Sequence, residues 1–349
     1  MGKTKREHYV PQSYLRRFST DSGRIYVYDK VLRKSFPDGI RNVAQESYFN
    51  DIPKEAIPPV IAATEADLQI VEKAFSRIED YFNRAVDEVL KLQDDTPISL
   101  EQRADMSVFI AIQLLRTRAY RNLIVEAAEK FVLALCADAV KENFGEEALK
   151  YLPKVTYKDK AAGLIQHKQI FDFARLDKVA RVLRNHIWMI GINDTTHPLY
   201  TSDNPVVMHT ELKDQLIGVG IASPGIEIAF PLSSKRILLL ADRMIFCPHE
   251  SAFDGLSRSL DPSNVEYYNS LQVIHSERQL FCEKPDFALA EDMIKKSPTL
   301  GQPPRERVDV RIVNCSTPQP SNRSFQMSRE RVDVRIVNCS PDEKKRGDA

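Results

Sequence analysis

The run His8-Tyr9-Val10-Pro11-Gln12-Ser13-Tyr14-Leu15-Arg16-Arg17-Phe18 packs a histidine, two tyrosines and two arginines into one short stretch. An imidazole that titrates near neutrality suits His8 to be a general base or a metal ligand. The competing reading is a histidine whose ring bonds a backbone carbonyl and anchors the chain, since no second His, Asp or Glu stands nearby at ligand spacing. Gln12 would position a substrate. Arg17 fits either a bidentate grip on phosphate or carboxylate, or an ion pair with an acid. Tyr9, Tyr14 and Phe18 read as core anchors. Pro11 holds Val10 extended and Tyr14, Leu15 and Phe18 follow at helical steps.

A second polar cluster is Ser202-Asp203-Asn204-Pro205, set between Tyr200 and the apolar Val206-Val207-Met208. Asp203 could ligate a metal or orient His8, and Ser202 or Asn204 could hold an oxyanion. The same residues also form Asx and Ser turns that satisfy only their own backbone. No GxSxG elbow surrounds Ser202. Arg116, Arg118 and Arg121 form a basic stripe that could face a phosphate, a solvated or acid-paired face being the plainer reading. Arg181 and His186 fit the R-x4-H spacing of HEPN ribonucleases, a short match that basic helices often produce. P-loop, GxGxxG and HExxH patterns are absent, and the sequence names no cofactor and no metal.

These residues need elements to hold them. Ile25-Tyr26-Val27-Tyr28 reads as a strand, Ser35 to Gly39 as a turn, and residues 1–53 as a small β-containing unit that must pack on something larger. From Thr64, an expected N-cap, apolar residues recur at Ala66, Ile70, Ala74, Ile78, Tyr81, Ala85, Val89 and Leu92 in a helical period that Asp94-Asp95-Thr96-Pro97 stops. Ser99 with Gln102 predicts a capping box for the next helix, which runs toward Phe144 with a break expected near Arg121-Asn122. A further helix covers Gln166 to His186, so residues 64–186 read as a helical bundle. Strands are expected at 187–192, 200–208, 226–230, 236–241 and 279–282, with Asp261-Pro262 starting a short helix between the last two. Strands segregated after helices predict an α+β fold, with residues 1–296 as one domain and 187–285 as its β-rich region. Residues 297–349 read as a mostly disordered tail, in which Arg305 to Ser316 is repeated letter for letter as Arg329 to Ser340. Each copy carries an alternation able to form an edge strand.

HYVPQSYLRRF resembles the opening of a large bacterial family, domain of unknown function 4238. The Ile25-to-Asp29 strand, Arg118 within Leu-Leu-Arg-Thr-Arg, and Thr201-Ser202-Asp203-Asn204-Pro205-Val206 leading to Phe230-Pro231-Leu232-Ser233 fit the same family over about residues 5 to 285. That resemblance supports the extent of the domain and brings no reaction with it.

The chain has 349 residues and balances 49 Lys+Arg against 49 Asp+Glu. A zero formal charge and 43% apolar residues exclude a disordered chain and a polybasic nucleic-acid wrapper. They leave room for a local basic cleft. No apolar run is long enough to span a bilayer, no signal peptide is visible, and the five scattered cysteines form no CxxC pair. A cytoplasmic protein without membrane contact is expected. Two functions follow. One is a hydrolase of a phosphate-bearing or nucleic-acid substrate in which His8, Asp203 and Arg118 act while Gln12, Arg17, Ser202 and Asn204 bind. The other is a non-catalytic binding or scaffold protein, for example in phage defence, whose polar residues are clasps.

Overall fold

The structure is a computed structural model that describes residues 6–52, 70–93, 96–152, 159–210, 212, 220–302, 308–314 and 332–338. The expected N-cap Thr64 and the stop at Asp94-Asp95 lie outside them. The fold is α+β. Its strands are β1 (Arg6–His8), β2 (Arg24–Asp29), β3 (Lys34–Gly39), β4 (Gln45–Ser47), β5 (Ile187–Ile192), β6 (Thr201–Ser202), β7 (Val207–His209), β8 (Glu227–Pro231), β9 (Arg236–Ala241), β10 (Leu256–Ser259), β11 (Gln279–Cys282), β12 (Val308–Asn314) and β13 (Val332–Asn338). The main helices are α1 (Gln12–Leu15), α2 (Ile70–Leu90), α3 (Leu100–Arg116), α4 (Arg118–Phe144), α5 (Asp159–Ile170), α6 (Phe173–Arg184), α7 (Pro262–His275) and α8 (Ala288–Lys296).

A five-stranded sheet has the order β10-β5-β9-β8-β7, antiparallel except for the parallel β10–β5 pair. A four-stranded antiparallel sheet has the order β3-β2-β11-β6. Two of its strands come from the first forty residues and two from beyond residue 200, so the N-terminal strands find their partners at the far end of the sequence. β1 pairs with β4. The two copies of the repeat pair with each other antiparallel, Val308 opposite Asn338; of the segment expected to be a disordered tail, residues 297–302 are ordered instead, a 3-10 turn over Pro298–Gly301 burying Leu300 against the core, and 303–307, 315–331 and 339–349 lie outside the described residues.

Several boundaries differ from the sequence reading for local reasons. Ser35 to Gly39 belongs to strand β3 and not to a turn, because the reversal happens earlier: Asp29 Oδ1 accepts the N–H groups of Val31 and Leu32, and Arg33 takes φ 53°. Pro37 is tolerated since β3 is an edge strand. The break in the long helix falls at Thr117, not near Arg121, where an extended residue accepts the Tyr120 N–H on its own hydroxyl. The helix expected over Gln166 to His186 is two helices, α5 and α6, the second capped by Asp172 through the Arg175 N–H. On α2 the core face is Val71, Phe75, Phe82, Ala85, Val86 and Val89, while Ile70 and Tyr81 are exposed. The face carrying two phenylalanines and three valines turns inward, since together they remove more apolar area from water than the face with Ile70 and Tyr81 would. The Ser99 capping box and the Asp261 N-cap form as read, and Asn264 turns the Asp261 cap into a capping box as well.

The core lies where the opening motif meets helices and sheet. Tyr14 stacks on Phe230 at 5.3 Å, Phe230 meets Phe109 edge-on at 5.6 Å, and Phe109 stacks on Phe82 at 4.7 Å. This aromatic ladder links α1, β8, α3 and α2, with Phe18 and Trp188 fully buried beside it. Among the described residues no helix is long and apolar enough to cross a membrane.

Gly191 in β5 shows how tightly the sheet is covered. A Cβ there would sit 2.7 Å from Ile237 Cγ2 and 2.9 Å from Leu260 Cδ2. Gly191→Ala is therefore expected to destabilise the protein by about 1–3 kcal/mol through overpacking. Urea unfolding at constant pH checks this, and an unchanged midpoint would contradict the packing described.

Candidate functional site

The second motif is held by backbone on every side. Asp203 is 1% exposed. Its Oδ1 accepts the Glu277 N–H at 2.8 Å, and its Oδ2 accepts those of Arg278 and Gln279 at 2.7 and 2.8 Å. Burial pushes its carboxyl up, while these three amides and the Lys30 ammonium pull it back. Lys30, also fully buried, donates to the Val273 and Ser276 carbonyls at the end of α7. Asp29 completes the knot by accepting from Arg278 Nε at 2.7 Å. Ser202 donates to Gln272 Oε1 at 2.7 Å and accepts the Asn204 N–H, and Asn204 Nδ2 donates to the His275 carbonyl. The preceding Thr201 hydroxyl meets the Tyr14 hydroxyl at 2.7 Å, which ties this motif to the opening one.

The opening motif splits its side chains between two surroundings. His8 ends β1 and Tyr9 follows it, so neighbouring side chains leave the extended chain in opposite directions. The His8 ring is buried, with Gln12 Nε2 3.4 Å from its Nδ1. Burial and then the Arg116 cation lower its pKa to about 4, against a smaller upward pull from the Ile40 and Arg41 carbonyls. Arg116 also binds this strand directly, Nη2 donating to the His8 carbonyl at 2.8 Å and to Glu79 at 2.9 Å over the Phe75 ring. Arg17 donates to Asp87 at 2.8 Å, to Asn83 and to the Ser13 carbonyl. A cavity of about 340 Å³ lies beside it, lined by Ser13, Arg16, Asn83 and Asp87.

Tyr9 faces the other way, into a charged centre. Burial first, then Asp203, Glu46 and Glu277, raises its phenol well above the usual range, with Arg118 opposing. Its ring packs on Phe49 at 5.3 Å. Arg118 bonds Asp159 at 2.7 Å and reaches Glu46 at 3.4 Å, and its guanidinium and both carboxylates are partly open to solvent. Burial raises the Glu46 carboxyl, with Arg118 pulling it back. Beneath them Arg121, 2% exposed, lies 3.5 Å over the Phe49 ring and donates through Nε to Gln166 at 2.8 Å. It reaches the shared Asp159 only at 3.6 Å. Its buried Nη2 has no partner among the described residues, and its pKa falls to about 10, chiefly through burial. Gly163 makes this possible, since a Cβ there would stand 3.3 Å from the guanidinium carbon. Buried His167 on α5, with both ring nitrogens unpartnered among the described residues, is lowered to about 3 by burial and then by Arg121.

Arg118 and Asp203 thus both act on Tyr9, while His8 is engaged separately with Arg116 and Gln12. Arg181 lies on the surface paired with Asp177, whereas His186 is buried with Nδ1 donating to the Val182 carbonyl, so the R-x4-H residues point into different surroundings. Sequence reasoning missed Glu46, Asp159, Gln166, His167 and Lys30. No spacing signal links them, because they meet from separate elements. Among the described residues no group of three or more His, Cys, Asp or Glu could hold a metal ion.

The family model described as Protein of unknown function (DUF4238) matches residues 6–286. No curated protein and no solved structure matches the chain.

The buried histidine sets a pH dependence. With a folded pKa of about 4 against the ordinary 6.5, the unfolded chain binds more protons between those values, so stability falls as pH drops through that window. At pH 5 the His8 contribution is expected to be about 2 kcal/mol below its value at pH 7. Urea unfolding of wild type and His8→Asn at both pH values checks it: the variant should lose correspondingly less between them, and an equal loss would show that His8 is not the titrating group.

Proposed function

The chain belongs to the family described as Protein of unknown function (DUF4238), and within it we propose that the protein binds an anionic, phosphate-bearing ligand at the Arg118–Arg121 centre without breaking it down. The observation that carries this reading is Arg121: a desolvated guanidinium with a spare Nη2, set beneath the partly open Arg118. Guanidinium groups hold phosphate through paired N–H donors, and low dielectric strengthens that grip. Glu46 and Asp159 keep the two cations neutralised while the site is empty.

The residues expected to catalyse hydrolysis support the binding reading. A general base must reach the proton it takes and hold it near the working pH. His8 is buried and shifted to about 4, and Asp203 is committed to three backbone amides. Their bonds serve as clasps.

Calorimetric titration with inorganic phosphate, a nucleoside monophosphate and a single-stranded RNA oligonucleotide tests the reading. At least one is expected to bind saturably, with Arg118→Ala weakening it at least about tenfold and His8→Asn leaving it unchanged. Phosphodiester turnover that depends on His8 or Asp203 would restore the hydrolase reading, and no binding by any of the three would remove the phosphate reading.

A further inference from the structure

The two copies of the repeated segment, β12 and β13, pair with a symmetry that their sequence identity makes possible. Each residue of the first copy has its counterpart 24 positions later in the second. The register sets Val308 opposite Asn338, Val310 opposite Ile336, Arg311 opposite Arg335, Ile312 opposite Val334 and Asn314 opposite Val332. Arg311 and Arg335 are counterparts, so the pairing is centred on a single position of the repeat. Read from either strand, it gives the same set of partners. A local two-fold axis therefore passes between the two arginines, and one copy of this segment is fully matched by another copy of itself.

Pairing within the chain occupies one edge of each strand. The sheet has two strands only, so among the described residues the outer edges meet no further strand. A free strand edge is a template for pairing with another chain, and neither Pro nor Lys blunts this one. Two strands alone are marginal in water, whereas more strands with an apolar face are stable. The Val310–Ile336 and Ile312–Val334 pairs fall on one face of the hairpin, so each added copy in the same register widens an apolar face. β12 makes most of the hairpin's contact with helix α4, which leaves β13 as the outer strand.

The charges of the segment are compatible with a second meeting. When β13 meets another β13 in this register, Arg335 faces its counterpart, the same opposition that Arg311 and Arg335 already make in the hairpin. Asp333 then stands diagonal to the facing arginine, where opposite charges offset that repulsion. Asp309 and Asp333 balance Arg311 and Arg335 in each chain.

We propose that β13 is a self-association edge, and that its partner is β13 of a second copy of this chain. The two strands run antiparallel with position 335 on the axis, giving a four-stranded sheet in the order β12-β13-β13-β12. The interface uses the same residues from both chains and closes at two, as a two-fold dimer does. It does not depend on the ligand proposed for the Arg118 centre.

Sedimentation of the full chain over a dilution series tests the proposal, together with Arg335→Cys and Arg311→Cys made separately and oxidised. A reversible dimer is expected. In Arg335→Cys the two introduced thiols face each other across the axis, at a Cα separation that a disulfide spans, so oxidation should link the chains through position 335. Arg311→Cys should give no link through position 311. Mass mapping of the linked peptides reads which positions are joined. Val334→Pro, which removes a ladder donor from β13, should weaken dimerisation at least about tenfold while the thermal unfolding of the remaining fold stays as in wild type. A chain that stays monomeric, a dimer linked through position 311 and not 335, or a dimer that Val334→Pro leaves intact would each overturn it.

Discussion

Three consecutive amide groups end on one buried carboxylate. The N–H groups of Glu277, Arg278 and Gln279 all point at Asp203, while Lys30 caps the carbonyls just before them. This fixes where helix α7 stops and strand β11 begins. Since β11 pairs with both β2 and β6, the knot also sets the register of the four-stranded sheet. A charge with this little exposure is tolerable only when fully bonded, because the interior returns its lost hydration through those amides and the nearby ammonium. Substituting one partner leaves the others buried and unpaired, so the arrangement is cooperative.

The opening motif depends on the same frame. Tyr14 reaches both Thr201 and the Pro231 carbonyl, and its ring continues into the Phe230, Phe109 and Phe82 ladder. The motif thus acts as a wedge between two sheets and the helices. His8 and Tyr9, one residue apart, are sent to different sides by strand geometry. One is sealed under Arg116; the other becomes the floor of a charged centre that α4, α5 and β4 assemble. The function proposed for that centre rests on this division: in that reading His8 and Asp203 hold the frame while Arg118 meets the ligand.

Much of the fold was legible because its signals are local. Ser99 with Gln102 and Asp261 with Pro262 mark helix starts by chemistry confined to four residues. Ile187 to Ile192 is an apolar run bounded by a turn, and it is the strand. Other features depend on partners far along the chain. Ser35 to Gly39 has turn composition, yet β2 supplies a ladder for it to join. Thr117 ends a helix without Gly or Pro, by offering its hydroxyl to the next one. The charged centre was the least legible: Arg118 stood out, but Glu46 and Asp159 lie 72 and 41 residues away from it in sequence. Lys30 gave no sign of burial, since a lysine after a strand ordinarily points to water.

Asp203 is the structural centre on which the rest of the fold depends. Amide hydrogen exchange at Glu277, Arg278 and Gln279, compared between wild type and Asp203→Asn, addresses this directly. The asparagine has a single acceptor oxygen and turns donors toward amides that need acceptors. The three amides are expected to be strongly protected in wild type and to exchange at least about tenfold faster in the variant, with Leu280 and Phe281 following as β11 loosens. Unchanged protection at those three positions would show that the carboxylate does not hold the turn and would return Asp203 to the residues free for chemistry.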